Sequence, residues 1–446
     1  MTQTVSAPPA TWSPPGQQQA PGQPPALQTP GTPAATRQGA VSRWFAGTPG
    51  RMRALLILTA VVCVLFGLAA AQGFRQSDGA LQRAEENTAQ LVRIQSIHTN
   101  LVSANADATN SFLVGGLEPP AQRAHFVDAT SAASRLVAEA ATAQPADQKA
   151  LGELNATLLR YNGLIEQARA NNRQGLPIGS QYLKDANAVL QTDVLPQVNA
   201  LVQANEGRVD SEFDGVGGGT AWVVVAGLIA LAVLGLTMVW LARRTHRYVN
   251  VPLAAGAVLV LLTMLVGGVA LGGASSTAKD TREGAFADTL AMSRARIAAY
   301  DAKSNESLTL IARGSGAEFE KAWQTSAKRV DEELANAQSR TSRTSRTPWN
   351  KYKAIHQDLR GKDDGGNWDA AVDEAIGATG ETSNTSFALF DKASAATLKT
   401  TSRTASDELT DARDGLPPIG WLGLPIGIAA ALLAAWGLSQ RLGEYR

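Results

Sequence analysis

The chain has 446 residues, of which 18% are charged and 44% hydrophobic, and its formal net charge is +1. Soluble domains carry about 25% charged residues, so this chain is poor in charge. Its small net charge gives no indication of nucleic-acid binding. The single cysteine, Cys63, excludes an intramolecular disulfide framework and a zinc site built from cysteines.

Charged residues are absent from four stretches, which are Ala54–Phe74, Ala221–Ala242, Tyr248–Ala278 and Leu416–Gln440. About 20 apolar residues cross the hydrocarbon core of a bilayer. The sequence therefore predicts an all-α membrane protein of the plasma membrane with four spans. We place these spans at residues 51–73, 220–242, 251–273 and 418–439.

The first span has a second interpretation, because the residues 68–71 before Gln72 resemble the cleavage site of a signal peptide. Two observations favour a retained helix. The span begins only at residue 51, and its apolar core, residues 54–71, is longer than the apolar region of a typical signal peptide.

Arginine residues flank the spans on one side of the predicted membrane. They include Arg51, Arg53, Arg243, Arg244, Arg247 and Arg441. Short cytoplasmic segments are enriched in basic residues. We therefore expect both termini, the loop 243–250 and the tail 440–446 to be cytoplasmic, and the two long segments to be extracellular.

Residues 1–50 contain half of the 20 prolines and show no hydrophobic periodicity. Such a composition is typical of a disordered segment with local polyproline II structure. We expect a disordered, Pro-rich cytoplasmic arm here.

The two long segments, 74–219 and 274–417, indicate an internal duplication, because each lies between two spans. Apolar residues recur at helical spacing between proline or glycine breaks. In one helix this stripe comprises Leu151, Leu154, Leu158, Tyr161, Ile165 and Ala168. Four helices with short turns predict an antiparallel four-helix bundle in each segment. The repeat SRTSRTSRTP (339–348) is predicted to be a flexible loop within the second.

The sequence shows no zinc-protease, phosphate-loop or nucleophile-elbow motif. We therefore predict no enzymatic activity, catalytic residue, cofactor or metal site. No ionisable residue lies within the four apolar stretches, which disfavours a transporter, because ion paths through a membrane use such residues.

Five polar residues on or beside the apolar stripes are the candidates for a ligand or partner site. They are His98, Asn105, Arg294, Arg296 and Asp301. One interpretation is that they pair with facing helices and fix the helix register. The other is a binding site, in which Arg294 or Arg296 holds a carboxylate with two hydrogen bonds.

The fourth helix of each segment joins its span through a glycine- or proline-rich junction, 215–219 and 415–418. Glycine and proline interrupt helices, and the first helices join their spans through milder sequences. We therefore predict that spans 1 and 3 carry more of any signal than spans 2 and 4.

The duplicated layout and the patterns NSFLVGG (110–116) and ESLTLIARGSG (306–316) resemble duplicated chemoreceptor-type four-helix sensor domains. Together with the Pro-rich arm, residues 50–440 resemble the actinobacterial GlnX-type membrane proteins. The resemblance implies a transmembrane signal relay from an extracytoplasmic, amino-acid-binding lipoprotein to a soluble serine/threonine kinase. A direct small-molecule sensor and a structural scaffold or envelope tether are the alternatives. A homodimer is left open.

Overall fold

The computed structural model describes residues 47–114, 117–245, 250–337, 339–377 and 380–443. Within these ranges all regular secondary structure is helical. The helices are α1 Gly47–Leu113, α2 Pro120–Ala143, α3 Gln148–Arg173, α4 Ile178–Val189, α5 Leu195–Val216, α6 Gly218–Thr245, α7 Val251–Thr281, α8 Ala287–Ile311, α9 Ala317–Asn336, α10 Arg340–Arg343, α11 Arg346–Asp364, α12 Trp368–Ile376, α13 Ser383–Asp414 and α14 Ile419–Gly443. The predicted disordered arm lies, up to residue 46, outside the described residues, as does Arg247.

Four helical stretches are long and apolar enough to cross a membrane, and these are Pro49–Leu113, Ile178–Arg244, Val251–Ile311 and Ser383–Gly443. They confirm the prediction of an all-α chain with four membrane-spanning helices. Large apolar side chains such as Leu236 and Val269 point outward from the spans, with 71% and 77% of their surface exposed. Outward-facing apolar side chains of this kind suit a lipid environment.

The predicted cytoplasmic arginines lie at the ends of the spans. Arg51 and Arg53 are near the start of α1, Arg243 and Arg244 are in the last turn of α6, and Arg441 is in the last turn of α14. These positions are where interfacial basic residues are found in membrane proteins. The side of the membrane that they face stays a prediction.

Small residues allow the spans of α1 and α14 to approach closely. A Cβ atom added to Gly427 would lie 2.7 Å from the carbonyl oxygen of Cys63 and 2.8 Å from the Cα atom of Gly67. Gly67 in turn contacts the backbone of Gly423. Contacts between backbones are typical of helix association in membranes, where packing replaces the hydrophobic effect.

We expect Gly427→Ala to destabilise the membrane-spanning part by about 1–3 kcal/mol, because the added methyl group forces the two backbones apart. Thermal unfolding of the purified protein in detergent, followed by circular dichroism, measures this as a lower Tm. Gly235→Ala is the matched control in α6, because its Cβ atom would meet nothing within 4 Å. Equal Tm values for the two variants would contradict the close packing.

Two of the four spans continue without interruption into the segments outside the membrane. Helix α1 has 67 residues, which corresponds to about 100 Å. Helix α7 continues through the π-helical turn Arg282–Phe286 directly into α8. By contrast, the regular helix pattern breaks for one residue, Gly217, between α5 and α6, although its backbone stays in the right-handed helical region, and the residues 415–418 separate α13 from α14.

The glycines before α6 have a different role from the one expected. We predicted that residues 215–219 act as a flexible junction. A Cβ atom on Gly219 would lie 2.2 Å from the carbonyl oxygen of Gly73 in α1. Gly219 is therefore needed for close packing of α6 on α1, and only Gly217 interrupts the helix.

The first long segment forms one core from α1, α2, α3, α4 and α5. The predicted stripe of α3 is buried at every position, from Leu151 to Ala168. Pro196 does not break the fourth helix, because the π-helical turn Leu190–Val194 precedes it and joins α4 to α5. Proline lacks the N–H that the preceding turn requires, and a wider turn accommodates it.

The second long segment differs from its prediction in two places. Arg340–Arg343 is a short helix, and Arg346 begins α11, so the SRTSRTSRTP repeat is not a flexible loop. The Arg346 guanidinium donates a hydrogen bond of 2.6 Å to the carbonyl oxygen of Leu334. The segment also has more helices than the four predicted, because α11 ends at Asp364 and a separate helix, α12, begins at Trp368.

The first and second segments pack against each other, which the prediction of two bundles did not include. Leu308 of α8 is part of the core of the first segment. Arg282 forms ion pairs of 2.6 Å with Asp210 and 2.8 Å with Asp214 across the junction. The Asn105 amide also donates a hydrogen bond of 2.8 Å to the Ser304 hydroxyl, which joins α1 to α8.

Candidate functional site

A polar cleft of about 500 Å³ lies between the two segments. Its walls come from α1, the π-helical turn between α4 and α5, α5 itself, α8 and α9. Each segment thus supplies part of the lining. Clefts at the junction of two structural units are common places for ligand sites.

The α1 wall carries two buried side chains without hydrogen-bond partners. Gln95 and His98 lie one helical turn apart and are 2% and 5% exposed. Among the described residues, neither amide atom of Gln95 nor Nε2 of His98 has a partner. Burial and, to a smaller extent, the positive charge of Arg329 together lower the pKa of His98 to about 4, so this imidazole is neutral near pH 7.

The α8 wall supplies Arg294 and Asp301. The Arg294 guanidinium is paired with the Glu206 carboxylate from α5. Asp301 accepts only a long hydrogen bond of 3.5 Å from the Gln191 amide. Burial raises the pKa of Asp301 to about 7, because one amide compensates a carboxylate poorly.

The α9 wall adds Arg329 and Glu333. Arg329 is exposed at the rim, and among the described residues it forms neither a hydrogen bond nor an ion pair within 4.0 Å. Of the described residues that line the cleft, three are carboxylates and two are guanidinium groups. With all five ionised, the cleft has an excess of one negative charge.

The structure brings three of the five predicted site residues together in this cleft, namely His98, Arg294 and Asp301. Arg296 faces another direction. Its guanidinium donates a hydrogen bond of 2.7 Å to the Ser394 hydroxyl and forms an ion pair of 2.8 Å with Asp391. This pairing attaches α13 to α8.

Asn105 is also outside the cleft and lies in the core of the first segment. Besides its bond to Ser304, its amide donates a hydrogen bond of 2.9 Å to the side-chain oxygen of Asn187, and the Tyr161 hydroxyl donates one of 3.3 Å to Asn105. These contacts join α1 to three other helices. They match the interpretation in which a buried amide fixes helix register.

Several residues that line the cleft were not predicted from the sequence. Gln95 precedes His98 by three residues, and this spacing places both on one helix face, so His98 could have indicated it. Glu206 and Arg329 follow no comparable pattern, because both occupy positions that appear as solvent-facing within their own helices. They meet the other lining residues only when the two segments pack together.

A second group of ionisable residues is buried inside the second segment, and we call it the Glu306 network. Lys303 Nζ lies 2.5 Å from one Glu306 oxygen, and His356 Nδ1 lies 2.9 Å from the other. His356 Nε2 lies 3.2 Å from a Glu320 oxygen. The Trp323 ring stacks on the imidazole with the ring centroids 3.6 Å apart.

Both ring nitrogens of His356 face carboxylates, so the imidazole is charged and donates to each of them. The two carboxylates raise the pKa of His356 against the opposing effect of burial. For Glu306, the charges of Lys303 and His356 outweigh burial and lower the pKa to about 2. Two positive and two negative charges balance in this network, which has the character of a structural element rather than of an open site.

Asp301 provides a test of whether the cleft is built for stability. The pKa of Asp301 is higher in the fold than in the unfolded chain. Its carboxyl group therefore stabilises the fold fully at pH values below the ordinary pKa of 3.8, and this stabilisation is lost as the pH rises through about 7. We therefore expect Asp301→Asn to raise the Tm by a few degrees near pH 8 and by less near pH 4. Asp185→Asn, at an exposed position of α4, is the control. A lower Tm for Asp301→Asn near pH 8 would show that the ionised carboxylate stabilises the fold.

The family profile of the actinobacterial sensor domain matches residues 80–214, which contain most of the first segment. No curated protein and no solved structure matches the chain. The match and the four membrane-spanning helices identify a sensor module in a multi-pass membrane protein. This combination supports a sensing or signalling role.

Proposed function

We propose that this protein is a transmembrane signal relay of the plasma membrane. Its two long segments lie outside the cell, and its termini and the loop 243–250 lie in the cytoplasm. The sensor-domain match over residues 80–214 and the arginines at the span ends support this assignment.

The continuity of α1 and of α7–α8 carries the proposal. Both helical stretches begin in a membrane span, and both supply a wall of the cleft between the segments. A stiff helix transmits a shift at one end to the other, and shifts of about 1–2 Å are typical of signalling transitions. Each of these two helical stretches thus has one end at the inner side of the membrane and the other end at the cleft.

The resemblance to GlnX-type proteins supports the choice of partners. Outside, a solute-binding lipoprotein, charged with an amino acid, docks on the long segments. Inside, a soluble effector of the serine/threonine kinase class responds to the shifted helix ends. The resemblance assigns the catalytic output to this separate effector. A homodimer would double the number of moving helices.

Direct sensing of a small molecule is the second candidate, and the cleft favours it. Its walls belong to both segments, so a bound molecule would change how α1 and α8 pack. A scaffold or envelope tether without switching needs no binding site, so it does not explain why Gln95 and His98 are unpaired in the cleft.

Capture of partners from native membranes tests the relay. We expect the intact protein, pulled down after mild cross-linking and analysed by mass spectrometry, to recover a solute-binding lipoprotein and a soluble kinase. A variant lacking residues 80–214 is the control, and it should lose the lipoprotein. Recovery of neither partner would reject the relay and leave direct sensing or a structural role.

A further inference from the structure

We propose that the cleft between the two segments binds a small solute that carries an ammonium group, with Asp301 pairing with the ammonium and with Gln95 and His98 binding the polar opposite end. This inference deepens the proposed function and rests on it only for the signal that follows binding.

The unpaired side chains on α1 indicate a ligand. Buried polar atoms are nearly always hydrogen bonded, yet Gln95 and His98 present three unpartnered atoms on one wall of one cavity. The amide offers both a donor and an acceptor, and a neutral imidazole nitrogen offers one of the two. These groups can bind a carboxylate, a hydroxyl or an amide of a solute.

The charges of the lining select the ammonium group. Arg294 is already neutralised by Glu206. The positive charge of Arg329, at the rim, acts on two carboxylates of the lining, those of Asp301 and Glu333. Asp301 has only the long contact to Gln191, and a cation would complete its pairing. A dicarboxylate would add negative charge to a cleft in which carboxylates already outnumber guanidinium groups.

The dimensions limit the solute to a small one. The cleft has about 500 Å³, which is within the range of about 300–1,000 Å³ for small-molecule sites. A neighbouring cavity of about 540 Å³ shares Gln191 and Asp301 with it. Asp301 therefore lies where the two cavities meet.

Isothermal titration calorimetry on the purified full-length protein in detergent tests this inference with three probes. Ethanolamine carries an ammonium and a hydroxyl, alanine an ammonium and a carboxylate, and succinate two carboxylates without an ammonium. We expect ethanolamine, alanine or both to bind and succinate not to bind. Binding of succinate alone, or of no probe, would overturn the proposal.

Two variants connect binding to the named residues. Asp301→Asn should weaken the binding of either ammonium probe at least tenfold, whereas Asp185→Asn, on the exposed face of α4, should leave it unchanged. Gln95→Met should weaken alanine binding several-fold, because it removes the amide and keeps the volume. Unchanged helical circular dichroism verifies that each variant is folded. Equal affinity in the Asp301 and Asp185 variants would refute the pairing.

The outcome is separable from that of the relay. Failure of the titrations would leave the capture of a lipoprotein and a kinase unaffected. Conversely, binding of an ammonium probe without recovery of either partner would retain the cleft as a ligand site and reject the relay.

Discussion

Glu306→Gln is expected to destabilise the second segment by about 3–5 kcal/mol, which is the usual cost of removing one member of a buried ionic network. Glu306 is 1% exposed and contacts both Lys303 and His356. Among the described residues, an amide in its place leaves Lys303 without a carboxylate partner and His356 with a single one, Glu320. Urea unfolding of the purified protein, followed by circular dichroism, measures the loss.

Glu318→Gln is the matched control for this prediction. Glu318 is exposed on the same segment, and such surface substitutions change stability by about 0.5 kcal/mol or less. The lowered pKa of Glu306 also sets a pH window. The stabilisation of the fold by the Glu306 carboxylate is fully present at pH values above its ordinary pKa of 4.5, and it is lost as the pH falls through about 2. Equal unfolding midpoints for the two variants would contradict the proposed role of the network.

A flexible insert of four residues, Gly-Ser-Gly-Ser, between Phe74 and Arg75 is expected to abolish signalling. Helix α1 is unbroken there, and Phe74 is buried against Val223 and Leu271 of the neighbouring spans. An insert that melts the helix at this point uncouples the outer segment from span 1. Quantitative phosphoproteomics should find serine and threonine phosphorylation at the level of cells that lack the protein.

The same insert between Gly217 and Gly218 is the control. The regular helix pattern already breaks at Gly217, so most of the phosphorylation output should survive. Alanine at residue 219 would not serve as a control, because Gly219 has no space for a methyl group. If the second insert abolished the output and the first did not, spans 1 and 3 would not be the main carriers.

The sequence was sufficient to predict the features that follow from periodicity and charge. The α3 stripe is buried from Leu151 to Ala168, because a helix that packs on one face repeats its apolar residues at that spacing. The four spans follow from uninterrupted apolar runs. Both signals are local, so neither depends on how distant parts of the chain meet.

The cleft and the Glu306 network could not be predicted in the same way. Arg329 and Glu206 are ordinary surface residues within their own helices, and they line a site only because the two segments pack together. His356 meets Glu306 across elements that are far apart in the chain. Gly219 was predicted to be part of a flexible junction. The sequence alone does not distinguish a glycine that allows flexibility from a glycine that allows close contact between helices.

A disulfide between Asn105→Cys and Ser304→Cys tests switching most directly, in a protein whose single cysteine has been replaced by Cys63→Ser. The two native side chains are 2.8 Å apart on α1 and α8. A disulfide holds its Cα atoms within about 4.4–6.8 Å and so restricts the shift that the relay requires. We predict that oxidised protein gives one constant phosphorylation output in amino-acid-rich and amino-acid-poor medium, and that reduction restores the response. A medium-dependent output of equal size in the oxidised and reduced forms would contradict the relay.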